Sequence, residues 1–335
     1  MGLKGLSPAN VEEIDVGKGE YMISMPLLEI VLGGGVALLW GLADSIAALS
    51  TRYLTTLTTT FLAHLSGLFT LLIILFILLW RDPSLTFVIS SQGLFIGVGT
   101  GLLTVIGYLA LYRSLELGPV AITSPLSSIS AVFCLLLSVL FLQERITLFD
   151  GFASGAIMSG VFMASVNVQD VRLFLKKKPK ELLAGKGIGW ACITPVAFGL
   201  VDIGIGASSP HHGWFVPVFL TFVVSSLTLT LLFLGHHLLG QGEKPLFMRL
   251  NPLVYQPVGL LFAVGAGILE SLASIIFGIA TQTSKPGIIA AIASNYALIA
   301  VLFAVYVLGE RLMVHQKVGI GVVLCGLTFI TLTHL

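Results

Sequence analysis

Apolar runs of about 20 residues recur along almost the whole chain, and as a helix each is long enough to cross a hydrocarbon core about 30 Å thick. Hydropathy averaged over about 19 residues places ten candidate spans, at 29–49, 55–80, 92–112, 119–142, 149–166, 187–208, 214–239, 257–280, 287–308 and 316–334. Inside lipid the backbone must satisfy its own N–H and C=O groups, so spans of this length are expected to be helices. The expected fold class is therefore an all-α polytopic membrane protein. Only 10% of the 335 residues are charged while 56% are hydrophobic, and the mean hydropathy is +1.03. Such a chain has too little polar surface to coat a soluble globule, which excludes a soluble domain on one anchor. The expected partners are the lipid bilayer and a small-molecule substrate. A net charge of +1, confined to short polar gaps, points to no nucleic acid.

The longest polar stretch within the hydropathic region divides the spans five and five. It runs from 167 to 186 and holds Arg172, Lys176, Lys177, Lys178, Lys180 and Lys186. The domain reading is a polar tail over 1–28, a first repeat over 29–166, a basic linker over 167–186 and a second repeat over 187–335. Glu12, Glu13, Asp15 and Glu20 give the tail the wrong pattern for a cleavable signal peptide. Cys134, Cys192 and Cys325 lie within apolar runs without CxxC spacing, so they read as buried small residues.

The halves resemble each other. Trp40-Gly41-Leu42-Ala43-Asp44 corresponds to Phe198-Gly199-Leu200-Val201-Asp202 at a shift of 158 residues. At a shift of 166, Gly99-Thr100-Gly101-Leu102-Leu103 matches Gly265-Ala266-Gly267-Ile268-Leu269, and Glu144-Arg145 matches Glu310-Arg311. Gly155 and Gly160 then fall on Gly321 and Gly326. Units of five spans insert with opposite orientations, giving two inverted five-helix repeats, the arrangement that lets one fold open alternately to either side.

The segment Leu111-Tyr112-Arg113-Ser114-Leu115-Glu116-Leu117-Gly118-Pro119-Val120-Ala121 is followed by Ser124-Pro125-Leu126 and by Leu140-Phe141-Leu142-Gln143-Glu144-Arg145-Ile146-Thr147. Together with Leu308-Gly309-Glu310-Arg311-Leu312 it resembles the EamA domain of the drug/metabolite transporter superfamily, in tandem over both halves. The resemblance implies ten helices in two inverted repeats and transport of small metabolites, often efflux, without ATP hydrolysis. Where the family often carries a proline in the middle of its fourth helix, this chain has Ser130-Ala131. That departure puts a hinge at this point in question.

An ionisable side chain at bilayer depth is a functional candidate by default. Asp44 and Asp202 occupy equivalent places in the two halves, and both are expected to face a shared cavity. Trp40 lies one helical turn from Asp44, setting an aromatic face beside a carboxylate, which suits a cationic or zwitterionic amine. The alternative is that the acids only fix helix packing. Glu270 is near the middle of its span with no Lys or Arg there to neutralise it, which makes it the first candidate for a proton-coupling group. Ser274 continues its face. Tyr108 and Tyr112, four apart, and the pair Asn295 and Tyr296 are further candidates for the cavity wall, against a packing role.

His64 reads as a packing histidine, and His211-His212 and His236-His237 as interfacial residues without a third ligand, so no metal is expected. Glu144-Arg145 and Glu310-Arg311 read as local braces at helix ends. No HExxH helix, serine-nucleophile motif or Walker loop occurs, so neither an enzyme, a bound cofactor nor ATP-driven transport is expected. The reading is a secondary transporter, an exporter or proton-coupled carrier of amino acids, amines or related compounds, with protons as a candidate coupling ion and the cell membrane as its place. The alternatives are an exchanger of nucleotide sugars or phosphate esters, which calls for cavity Lys or Arg, and a membrane scaffold. Counted on the linker side are twelve Lys and Arg against five opposite, which by the positive-inside rule places the termini outside. The family resemblance implies cytoplasmic termini, and orientation and oligomeric state stay open.

Overall fold

The computed structural model describes residues 25–87, 89–117, 120–143, 148–165, 187–239 and 257–309, with short pieces between 314 and 326. Residues 1–24 of the tail, the 167–186 linker, Glu144-Arg145, Glu310-Arg311 and most of the tenth expected span lie outside the described residues, and residues 25–28 of the expected tail belong to the first helix. Eleven helices are described: α1 (Met25–Ser50), α2 (Thr56–Arg81), α3 (Ser91–Leu117), α4 (Val120–Ser127), α5 (Ser130–Phe141), α6 (Leu148–Ser165), α7 (Ile188–His212), α8 (Phe215–Leu239), α9 (Pro257–Thr283), α10 (Pro286–Ala293) and α11 (Tyr296–Tyr306). Seven stretches among the described residues are long and apolar enough to cross a membrane: Leu27–Ser50, Thr56–Arg81, Ser91–Leu117, Gly189–His212, Phe215–His236, Pro257–Thr283 and Pro286–Tyr306. A multi-pass integral membrane protein follows. Its outer surface is apolar as lipid requires, with Phe69, Ile73, Phe76 and Trp80 exposed along α2 and Leu227, Leu231 and Leu238 along α8. Cys192 and Cys325 belong to that surface, while Cys134 is buried. Reading all three as buried was wrong because an apolar run in a membrane protein has a lipid-facing side as well as a core side.

Punctuation at the helix ends is local. Thr55 caps α2, accepting from the Thr58 N–H at 3.2 Å. Pro286 opens α10 where no N–H is needed. Gly213, at φ 76°, turns the chain between α7 and α8 in a conformation most side chains resist.

The most extensive contacts run between halves rather than within them. α1 packs along α9 and α3 along α7; α2 meets α9 and α3 meets α8; α1 meets α11 and α5 meets α7. Each of these pairings becomes another when the first-half helices are exchanged for their second-half counterparts. Small residues allow the close approaches. A methyl added at Gly267 of α9 would overlap the Ala63 carbonyl of α2, and one at Gly41 of α1 would meet Ile299 of α11. Hydroxyls cross the same seams: Ser66 Oγ donates to Val264 O at 3.1 Å, Ser50 Oγ to Gly259 O at 3.0 Å and Ser226 Oγ to His64 O at 3.1 Å. Bonds of this kind contribute about 0.6 kcal/mol each in lipid, so close van der Waals packing carries most of the association.

Two expected spans are interrupted. The span expected over 119–142 is broken at Ser128-Ile129 between α4 and α5, and the one over 287–308 at Ser294-Asn295 between α10 and α11. The sites are equivalent at the 166-residue shift. Neither break contains a proline. Hydroxyl and amide side chains compete there for the backbone: Ser127 Oγ donates to Thr123 O, Ser294 Oγ to Ala291 O at 2.6 Å and Asn295 Nδ2 to Ile292 O at 2.7 Å. The ladder tightens accordingly, with Ala131 N bonding Ser128 O at 3.2 Å and Leu298 N bonding Asn295 O at 2.9 Å. The hinge left in question at Ser130-Ala131 is thus replaced by a serine-rich discontinuity.

Candidate functional site

Broken backbone at membrane depth is tolerated where it lines a cavity, and a cavity lies there. Ser130 and Tyr296, the first residues after the two breaks, both belong to its wall. Its empty volume, mouth included, is about 650 Å³. Four of the long helices contribute a stripe at helical spacing: Trp40 and Asp44 from α1, Thr104 and Tyr108 from α3, Phe198, Asp202 and Ile205 from α7, and Glu270, Ser274 and Phe277 from α9. Val201 of α7 and Thr221 and Phe222 of α8 also line it.

Three carboxyl groups from three helices therefore share one cavity, each residue more than nine-tenths buried. Among the described residues, no Lys, Arg or His lines the cavity. Glu270 is the most tightly held of the three. Trp40 Nε1 donates to its Oε1 at 3.1 Å, tying α1 to α9, and Ser274 Oγ donates to the same oxygen at 3.4 Å. Its Oε2 is buried without a protein partner, as is Thr104 Oγ1. The aromatic faces around it are ordered by one another. Trp40 meets Phe277 at 5.6 Å and the edge of Tyr296 at 6.2 Å, and Tyr108 meets Phe198 at 4.8 Å. Trp40→Phe keeps an aromatic ring but deletes the N–H, and is expected to lower the stability of the detergent-purified protein by about 1–3 kcal/mol, the cost of leaving a buried acceptor without its donor.

Of the nine residues singled out from sequence, seven line the cavity: Trp40, Asp44, Tyr108, Asp202, Glu270, Ser274 and Tyr296. Tyr112 and Asn295 do not. Tyr112 is packed one turn below Tyr108, their rings 5.4 Å apart, and Asn295 spends its amide N–H on the α10–α11 break. Thr104, Ser130, Phe198, Val201, Ile205, Thr221, Phe222 and Phe277 were not foreseen. Helical spacing from the acids would have found Phe198 and Phe277. His64 sits behind the wall, its Nδ1 donating to Thr60 O at 3.0 Å and its ring edge-on to Tyr108 at 4.8 Å. His212 bonds Ser90 Oγ at 2.8 Å near the ends of α7 and α3. Among the described residues no group of three His, Cys, Asp or Glu is placed to hold a metal. Arg113 is buried, but its guanidinium is paired with Glu116 at 2.8 Å outside the cavity wall, and Thr56 Oγ1 donates to the same carboxylate.

The model of the EamA-like transporter family matches residues 27–166 and again 185–332. This chain belongs to the EamA-like transporter family. Small-molecule membrane transport is the activity that the EamA-like family suggests. A solved crystal structure, 15% identical, superposes with a TM-score of 0.65 over 91% of this chain and 98% of that one, a likeness of fold alone. Comparison with curated proteins gives no match.

Proposed function

We propose that this EamA-like protein is a secondary carrier of small amines and amino acids, cationic or zwitterionic, working in the cell membrane as an exporter or proton-coupled carrier. The observation that carries the reading is the mid-bundle cavity walled by three carboxyls and several aromatic rings, with no basic residue among the described residues that line it. Ionised carboxyls clustered in a cavity favour a positively charged ligand, and aromatic faces attract an organic cation. In this reading Glu270 carries the coupling proton, while Asp44, Asp202 and the rings of Trp40, Tyr108 and Tyr296 hold the substrate. The ten-helix arrangement, with inverted repeats over 29–166 and 187–335, belongs to the same reading. Its support is the exchange of helix pairings between halves and the matched breaks, which would let half-helices rock around the cavity as access alternates.

Counterflow tests the carrier before its coupling is known, because it requires no imposed ion gradient. The purified chain in liposomes preloaded with unlabelled compound is expected to accumulate a labelled amine or amino acid from a panel of amino acids, polyamines, quaternary amines and phosphate esters. Exchange of phosphate esters alone would overturn the amine reading, and no exchange of any compound would overturn the carrier itself.

A further inference from the structure

The most extensively packed helices sort into two groups. α1 and α2 both lie along α9, and α7 and α8 both lie along α3. Exchanging each helix for its counterpart in the other half turns one group into the other. Each group supplies one wall of the cavity: Trp40, Asp44 and Glu270 stand on the first, Tyr108, Phe198 and Asp202 on the second. The groups meet along α2 and α8, which are counterparts of each other, where Phe61 and Phe233 stack at 4.7 Å and Ser226 Oγ donates to the His64 carbonyl. A seam between two equivalent helices is a pivot for two equivalent bodies.

The two ends of the cavity are closed differently. One end gathers the start of α2, the finish of α3 and the start of α9, with Gly259 against Tyr53 and Leu54 and Thr56 against Glu116. There a polar contact crosses between the groups. Thr56 Oγ1 of the first donates to Glu116 Oε2 of the second, and Arg113 Nη1 holds the same oxygen at 2.8 Å. Tyr112, the neighbour of Arg113 in the chain, packs one turn beyond the cavity-lining Tyr108, so the contact lies just past the cavity wall at this end. At the other end the start of α8 faces the finish of α9. The 158- and 166-residue shifts carry Thr56 to Trp214 and carry Arg113 and Glu116 to Ile279 and Gln282, which bear no charge. That end closes by contact instead, since a methyl added at Gly278 would meet the Trp214 carbonyl and Val218. The flanking helices differ as well: α7 lies on α9 more extensively than α1 lies on α3, although the pairs are counterparts.

A polar latch lets go differently from a packed seam. A hydrogen bond is lost over a fraction of an ångström, and its groups are satisfied again by water once the end is wet. Arg113 also keeps its Nε–H buried and without a partner, an unspent donor beside the latch. Resting on the carrier reading above, we infer that Thr56, Arg113 and Glu116 form the gate at this end of the cavity. They are positioning residues: they hold the two helix groups together past the cavity wall, and they part when the groups rock about α2 and α8. The opposite end stays shut by packing while this one opens.

A thiol in the cavity reports the gate. With Cys134, Cys192 and Cys325 changed to Ala, Val201→Cys puts one thiol in the cavity wall. Arg52→Cys, made separately on the exposed turn before α2, marks which membrane face holds the latch. The full-length protein is labelled with a membrane-impermeant thiol reagent added to right-side-out or inverted vesicles. Thr56→Val keeps the shape of the side chain and removes the donor. It is expected to speed labelling of Val201→Cys at least about fivefold from the face that labels Arg52→Cys, and not from the opposite face, the population shift that loss of one such bond produces. Thr56→Ser is expected to restore the original rate. Glu116→Gln removes the charge that Arg113 holds and is expected to act as Thr56→Val does, so that a folding failure of one variant, seen as loss of the monodisperse peak in detergent, does not decide the matter. Unchanged labelling in both variants would overturn the gate and make the cluster a static brace. Faster labelling from both faces would overturn it too, as general loosening of the bundle. Neither result touches the carrier reading, which the counterflow panel decides separately.

Discussion

Glu270→Gln is expected to abolish proton-driven uptake in liposomes while sparing counterflow. The substitution is nearly isosteric, and the amide oxygen can still accept from Trp40 Nε1 and Ser274 Oγ, the two donors to Glu270 Oε1. The brace between α1 and α9 should therefore survive, and thermal unfolding should change little. What the amide cannot do is take up and release a proton across the cycle. A drop in proton-driven uptake of about a hundredfold or more, within the range of general acid-base contributions, together with wild-type counterflow, is the expected pair of results. Retained proton-driven uptake would remove Glu270 from the coupling role, and loss of both activities would make it part of the substrate site.

Gly267→Ala should be the most damaging single methyl in the bundle. Its Cβ would fall on the Ala63 carbonyl and the Ser66 hydroxyl, so backbone must move rather than the tip of a flexible side chain. Over-packing of this kind costs about 3 kcal/mol, against less than about 1 kcal/mol gained from alanine's better helix propensity. Gly265→Ala, on the same helix, meets nothing within 4 Å and serves as the control. Thermal unfolding of both variants in detergent is expected to show the control at or above wild type and Gly267→Ala far below it. Equal stability of the two would mean that the α2–α9 seam tolerates separation.

The sequence made the membrane-crossing segments readable because hydropathy reports solvent preference directly. It made most of the cavity readable for a different reason: an ionisable residue inside an apolar run is rare, so Asp44, Asp202 and Glu270 stand out individually. Hydroxyl and aromatic residues do not stand out in this way. Thr104 and Thr221 look like any of the many threonines that satisfy themselves on the preceding turn, as Thr221 does toward Pro217 O at 2.8 Å. Tyr112 and Asn295 were placed at the cavity by spacing and by polarity, yet one helical turn and one backbone bond were enough to put them outside it. The breaks in two spans were hidden for a related reason. Serine and asparagine interrupt a helix only when their side chains capture backbone carbonyls, and an average over 19 residues does not register that choice.

The interleaving of the halves bears on how such a chain is made. When the ribosome has delivered the first five spans, α1 and α3 have been inserted without the helices that cover them, α9 and α7. The Gly267 contact and the Trp40–Glu270 bond are likewise still to come. Synthesis therefore leaves a loosely associated group of helices waiting in the bilayer, with Asp44 in α1 yet to acquire the cavity that shelters it. A nascent chain of this design is most vulnerable to membrane quality control during that interval, and it completes its core only after α9 arrives.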